Sequence, residues 1–546
     1  ICITINHCIN AYIDINTTSG VVRGQTIYGL NASIDQFLGI PYAEPPIGRL
    51  RFAKPVPIAT PLQDIIDGSK TKYACIQPIS ADYERIYGNV AQSEDCLVLN
   101  IWSPYRPHNN TQLALKPVMF WIHGGSLTVG SVYERTTHYM WFNGAVLAAN
   151  GVVVVTVNYR LGPFGFTYGG ADETAPGNAG FYDQLLALKW VKENIHLFGG
   201  DKNLVTLFGH SAGSWSVSAH ILSPLSRGLF RRAIMQSGAL LWDKRRGIVN
   251  KLEPLSAAKQ MATELNCTSD NNNEWLQCLR GVGADQLRDV TKGHIFPIQE
   301  GTEFLSELAI DAFNDGHFNP GVDIIAGVAR RDGSNLAHDS IPYLSGNITM
   351  DTFKLLVQGV GAVFPDINVT AVCDYYLSGV DTGSSDALKV AFYEFFGDLL
   401  VKCPTYVFAR QYDQLSPKSR VYFYEQSYQS RNAWLWGCVG PQMGVCHGAD
   451  QEFVWGVPLV YPNTFTDTDR QFARYVTKMW TDFAKTGVPD ANWPQIINND
   501  DDITGVKDLN PINPNRFVNI ITIADAKNTK PSDACSLQVP SELVPC

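Results

Sequence analysis

Three stretches of the chain are apolar almost without a break: Val118-Met119-Phe120-Trp121-Ile122, Val152-Val153-Val154-Val155-Thr156-Val157 and Leu204-Val205-Thr206-Leu207-Phe208. A strand with one wet face alternates apolar and polar residues. A strand covered on both faces stays apolar, so these stretches predict the buried strands of a mostly parallel sheet. Nearer the N-terminus, Val21-Val22-Arg23-Gly24 and Ile34-Asp35-Gln36-Phe37-Leu38-Gly39 alternate and end on turn residues, which predicts half-buried antiparallel strands. Helical spacing lies in between. From Phe181 to Asn194, Leu185, Leu188, Trp190 and Val191 fall near one face, and Gly199-Gly200 stops the segment. A polar, helical stretch runs from Lys251 to about Glu300. Strands alternating with helices predict an α/β fold, with helices on both faces of the sheet and a small antiparallel region at the N-terminus.

Composition narrows the class. Of 546 residues, 45% are hydrophobic and 17% charged, a globular balance that excludes a disordered chain. No linker, low-complexity tract or repeat divides it, so one domain over residues 1–546 is expected despite the length. The net charge is −10, and basic residues cluster no further than Arg231-Arg232, Lys244-Arg245-Arg246 and Arg330-Arg331. Without a basic stripe, nucleic acid is not an expected partner. The 12 cysteines form no C-x-x-C pair, which argues against a zinc or redox motif. Sequons stand at Asn16, Asn31, Asn109, Asn266, Asn347 and Asn368. Together with the cysteines they point to an oxidising secretory route. The longest apolar run, Gly144 to Val157, is broken by Asn150-Gly151 and is too short to span a bilayer. The C-terminal Leu543-Val544-Pro545-Cys546 has no hydrophobic tail for a lipid anchor. No signal peptide is visible at Ile1, and its prior cleavage is expected. The expectation is a secreted glycoprotein with no membrane span.

Two motifs carry chemistry. Gly209-His210-Ser211-Ala212-Gly213 follows the run Leu204–Phe208 and precedes a helical stretch, Gly213 to Leu222. In a strand–turn–helix setting, G-x-S-x-G forms a nucleophile elbow, whose glycines admit a sharp turn that pushes the serine hydroxyl out over the sheet. A serine needs a base within hydrogen-bond reach to act as a nucleophile. Taken alone, the same letters also describe a helix N-cap serine followed by small packing residues. The second motif, His123-Gly124-Gly125-Ser126, directly follows Val118–Ile122. Glycines there let backbone N–H groups approach a developing oxyanion, although an ordinary Gly-Gly turn reads the same way. Their order along the chain makes the two motifs support each other.

Glu94-Asp95-Cys96-Leu97-Val98-Leu99-Asn100-Ile101 resembles a signature of the type-B carboxylesterases and cholinesterases. The resemblance continues through Asn158-Tyr159-Arg160-Leu161-Gly162, Gly177-Asn178-Ala179-Gly180, Asp183-Gln184, Phe198-Gly199-Gly200-Asp201, the elbow and Gln236-Ser237-Gly238. It covers nearly the whole chain and weakens after about residue 460. It implies the α/β-hydrolase fold and disulfides Cys75–Cys96, Cys267–Cys278 and Cys438–Cys446, leaving the other cysteines open. It implies Ser211 as nucleophile, His447 in Cys446-His447-Gly448-Ala449-Asp450 as base, and Asp332 in Arg331-Asp332-Gly333-Ser334 as the acid. The family more often has glutamate in that last position. Asp332 is one methylene shorter, so its loop must sit closer to His447. The implied oxyanion donors are the N–H groups of Gly125, Ser126 and Ala212. Ser126 replaces a third glycine, which keeps the donor but adds a side chain. No metal or organic cofactor is implied.

Cholinesterases resemble this chain but hold a quaternary ammonium over a tryptophan in their first disulfide loop. Between Cys75 and Cys96 this chain has Tyr83 and Tyr87 and no tryptophan, and His210 stands where cholinesterases carry glutamate. Both departures point to small uncharged esters as substrates. Trp121, Trp141, Trp215 and Trp434 are candidates to line an apolar gorge, or else core packing. A non-catalytic carrier or adhesion protein on the same scaffold is the alternative, because fold does not determine function.

Overall fold

The computed structural model describes residues 12–78, 90–104, 114–133, 141–170, 172–241, 253–269, 274–290, 296–362, 364, 367–496 and 505–518. Tyr83, Tyr87, Asn109, Lys244-Arg245-Arg246, Cys2, Cys8, Cys535 and Cys546 lie outside the described residues.

Among the described residues thirteen strands make one sheet. In chain order they are β1 (Tyr12–Thr17), β2 (Gly20–Gly29), β3 (Ala32–Pro41), β4 (Leu62–Asp67), β5 (Val98–Pro104), β6 (Lys116–Ile122) and β7 (Val153–Val157). They continue as β8 (Gly200–His210), β9 (Arg232–Gln236), β10 (Asp323–Ala329), β11 (Val421–Gln426), β12 (Val506–Leu509) and β13 (Phe517–Val518). In space the order is β1-β2-β3-β5-β7-β6-β8-β9-β10-β11-β12-β13, with β4 parallel on β2. Pairing is antiparallel from β1 to β7. It is parallel from β7 to β12 and antiparallel again at β13. This is the expected α/β-hydrolase sheet, mostly parallel with an antiparallel N-terminal flank.

The unbroken apolar runs have the predicted cause. Along β6, Val118, Phe120 and Ile122 enter one core while Met119 and Trp121 enter the other. Val153, Val155 and Val157 of β7 join the first core, and Val154 joins the second. Helices α1 (Ala179–Asn194) and α2 (Ala212–Leu222) cover the first face, through residues such as Leu188, Val191, Val217 and Ile221. Helix α3 (Asp467–Thr486) covers the second with Phe472, Val476, Met479, Trp480 and Phe483. Its start is set by a capping box between Thr466 and Asp469.

Helix α1 departs from the one-faced pattern read in its sequence. It is buried nearly all round, including Asp183 and Gln184, because a further layer covers its outer side: Phe181 stacks on Phe304 at 5.3 Å. Asp183 is buried because it is paired, its oxygens taking Arg160 Nη2 at 2.6 Å and Nε at 2.8 Å. The polar stretch after residue 251 resolves into helices Glu253–Glu264, Glu274–Gly281 and Ala284–Val290. Arg51 ties it to the body, with Nη1 donating to the carbonyls of Leu279 at 3.1 Å and Val282 at 2.6 Å. The other side of Arg51 grips Glu94 with two hydrogen bonds of 2.7 and 2.6 Å. Disulfides join Cys75–Cys96, Cys267–Cys278 and Cys438–Cys446. Cys403 is also disulfide-bonded, and Cys373 is a buried thiol. Among the described residues no helix is long and apolar enough to cross a membrane.

Candidate active site

Strand β8 ends at His210 and helix α2 begins at Ala212, so Ser211 occupies the turn between them. Its backbone is strained, with φ 58° and ψ −124°, a conformation that costs about 1–3 kcal/mol for a non-glycine residue. The flanking glycines make the turn possible. A Cβ on Gly209 would stand 2.5 Å from the Gly213 carbonyl, and one on Gly213 would stand 2.1 Å from Ile122 O. The Ser211 N–H donates to Gln236 O at 2.8 Å, which ties the elbow to the end of β9.

Asp332 lies just beyond the end of β10 and is fully buried. Its Oδ1 sits 2.6 Å from His447 Nδ1. Its Oδ2 accepts from Ser237 Oγ and from the Ala329 N–H, each at 2.7 Å. The loop reaches inward because Gly333 meets Gly397 backbone to backbone, where a Cβ on Gly333 would stand 2.2 Å from Gly397 N. The shorter carboxylate thus attains full contact. His447 follows the Cys438–Cys446 disulfide and is bracketed by Asn335, which accepts from its N–H and donates to its carbonyl, both at 3.1 Å. With Nδ1 facing a carboxylate, that nitrogen carries the hydrogen and Nε2 is left as an acceptor. His447 Nε2 is enclosed and has no hydrogen-bond partner among the described residues. The ring of His210 lies 4.3 Å away, centroid to centroid.

The glycine loop leaves β6 through His123, whose Nδ1 contacts Gly124 O at 2.9 Å and whose ring stacks on Tyr159 at 4.4 Å. Burial pushes His123 down to about 4, against the opposing pull of the Gly124 carbonyl, so it is neutral at neutral pH. Gly124 packs against the elbow, where a Cβ would stand 2.6 Å from His210 O and 3.0 Å from Ser211 Cβ. Gly125 has φ 105°, and Ser126 adopts the left-handed φ of 56°. The Gly125 carbonyl takes the N–H groups of Thr128 and Val129 at 2.9 Å.

Comparison with known proteins meets this geometry. The profile of the carboxylesterase family matches residues 11–514. The chain belongs to the carboxylesterase family. It is 34% identical over 501 residues to an acetylcholinesterase of Bungarus fasciatus, covering 87% of this chain and 79% of that one. It is 32% identical over 514 residues to a cholinesterase of Mus musculus, covering 88% and 81%. It is a carboxylic-ester hydrolase. The family match runs past residue 460, where the motifs noted in the sequence thin out, and takes in α3 on the second face and β12 near the sheet edge.

Several residues of this carboxylesterase site carried no role in its sequence. Gln236-Ser237 is one pair: Gln236 Nε2 donates to Asp450 Oδ2 at 2.8 Å, and Ser237 holds Asp332. The Tyr424 hydroxyl donates to the same Asp450 oxygen at 2.7 Å, and burial raises the Asp450 carboxyl above its ordinary range. Gln236-Ser237-Gly238 belonged to a family motif, which was the available signal. Asn335 had none. The tryptophans divide. Trp121 and Trp141 are fully buried in the second core, the former against Phe142, Phe208 and Trp455. Trp215 packs partly buried beside the first core, its indole Nε1 standing 2.9 Å from a Cβ built on Gly238. Trp434 is 53% exposed, neither core nor enclosed wall. Asn16, Asn31, Asn266, Asn347 and Asn368 are all exposed.

Proposed function

We propose that this carboxylesterase is a secreted, glycosylated hydrolase of small uncharged carboxylic esters, acting through Ser211, His447 and Asp332. The observation that carries the reading is the 2.6 Å contact between Asp332 Oδ1 and His447 Nδ1, beside an elbow that presents Ser211. That contact leaves Nε2 free to take the serine proton as Oγ attacks the ester carbonyl, while Asp332 steadies the imidazolium. In unliganded sites the serine–histidine bond is often open and closes with substrate. The N–H groups of Gly125, Ser126 and Ala212 receive the oxyanion, each donor contributing about 3–4 kcal/mol. Gly125 and Ser126 support this, since among the described residues neither N–H is spent on a protein acceptor. The alcohol leaves with the proton from His447, and water then cleaves the acyl-enzyme by the same route. No step calls on a metal or cofactor.

The substrate class rests on His210 and on the loop between Cys75 and Cys96, which holds no tryptophan. Burial, and then the neighbouring His447, push His210 well below its ordinary value, so it is neutral where a carboxylate would favour a cationic substrate. Secretion is supported by the disulfides and by the exposed sequons.

The test is intact-mass and peptide analysis after exposure to a fluorophosphonate, with Ser211→Ala as control. Stoichiometric adduct at Ser211 is expected. An unlabelled folded protein would reject the triad and leave the carrier reading. Substrate class is read from kcat/KM for a choline ester against its isosteric neutral 3,3-dimethylbutyl ester, and a preference for the choline ester would overturn it.

A further inference from the structure

Two imidazoles share the site, and the reaction above uses one. His210 immediately precedes Ser211, and its ring lies 4.3 Å from that of His447 at a tilt of 42°. Nε2 of His210 and Nε2 of His447 are both enclosed, and neither has a hydrogen-bond partner among the described residues. A buried nitrogen without a partner costs about 1–3 kcal/mol, and two on rings in contact are rarely left dry. Gly448 packs between the two aromatic neighbours: a Cβ on it would stand 3.2 Å from Trp436 Cε3 and 3.6 Å from His210 Cε1. A water held in a protein needs two to four polar partners. Here the two imidazole nitrogens are the groups to supply them.

We propose that His210 is a second catalytic imidazole, which holds the hydrolytic water beside His447 during cleavage of the acyl-enzyme. This rests on the triad reading. The water gives one hydrogen bond to each Nε2. His447 takes the first proton as the water oxygen attacks the acyl carbon, and His210 keeps the second in a hydrogen bond that fixes the angle of approach. The tetrahedral intermediate then expels Ser211 Oγ, which recovers its proton from His447 Nε2, and the carboxylic acid departs. No net proton rests on His210, which suits a ring held neutral. In the acylation half, the attacking oxygen belongs to Ser211 and is positioned by the elbow, so His210 acts chiefly on the water step.

The test isolates that step. The enzyme is loaded with a methylcarbamate, the carbamoyl group on Ser211 is verified by peptide mass, and its hydrolysis is followed by return of activity and loss of the mass shift. His210→Phe keeps an aromatic ring against His447 but offers no nitrogen, and its decarbamoylation is expected to slow about tenfold, the worth of one hydrogen bond. His210→Gln restores a polar end and is expected to recover most of that rate. Equal rates in wild type and His210→Phe overturn the proposal, as does an equal loss in both variants, which marks a packing role. Failure of wild type to take the carbamoyl group at Ser211 removes the triad itself. A triad that loads normally and ignores the identity of residue 210 removes only this inference.

Discussion

The Ser237 hydroxyl donates to Asp332 Oδ2 across 2.7 Å, so the end of β9 holds the carboxylate from behind while its other oxygen faces His447. A hydrogen bond to a charged, fully buried group is worth about 1.5–3 kcal/mol. Ser237→Ala is therefore expected to lower kcat/KM at least tenfold, with kcat falling more than KM changes. Steady-state kinetics on a neutral ester check it. Unchanged kcat would mean that the Ala329 N–H alone orients Asp332.

Asp332 is enclosed by three partners and the Gly333–Gly397 contact, so the longer acid common in the family does not fit this loop. Asp332→Glu is expected to destabilise the fold by about 1–3 kcal/mol through overpacking, measured by denaturant unfolding, and to reduce activity. Asp332→Asn keeps the shape but loses the charge and the tautomer, and a drop in kcat of about ten-thousandfold is expected.

Ser126 holds φ 56° within the glycine loop after β6. An L-residue there carries roughly 1–2 kcal/mol of strain that glycine does not. Ser126→Gly is expected to retain or raise stability by up to about that amount, and to increase kcat/KM for bulkier acyl groups relative to acetyl. A ladder of acyl chain lengths reads the second effect. A flat ratio along the ladder would show that Ser126 does not border the acyl space.

Glu452, five residues after His447, is buried, and burial pushes its carboxyl from an ordinary 4.5 up to about 8. Between those values the folded chain keeps a proton that the unfolded chain releases, so this group's contribution to stability falls as pH rises through the window. Glu452→Gln removes that dependence. Unfolding measured from pH 5 to 8 is expected to show the variant gaining on wild type as pH rises, and parallel curves would contradict the assignment.

How legible the molecule was depended on the kind of information. Val118–Ile122 and Val152–Val157 announced buried strands because burial on two faces removes nearly every polar residue from a strand, a local and one-dimensional signal. The elbow was legible for a similar reason: a turn this tight tolerates only glycine at 209 and 213. Strand ends were less so. β8 begins at Gly200 rather than Leu204, since Gly200 pairs with Lys116 of β6, while the exposed Lys202 and Asn203 fall in the irregular stretch before Val205, where apolarity no longer marks a strand.

The sequence by itself determined the alternation of strands and helices, the sharp turn at Ser211, the glycine loop after β6, and, through ordered motifs, the family. These features are written in neighbouring residues whose steric and hydrophobic demands act locally. Only the tertiary structure decided that Asp332 meets His447 across 115 positions of chain, that Ser237 and Asn335 hold that pair in place, and that the His210 ring lies against His447. Such contacts depend on where strands β8, β9 and β10 end relative to one another. That register is set by the packing of two whole cores, and no short stretch of residues contains it.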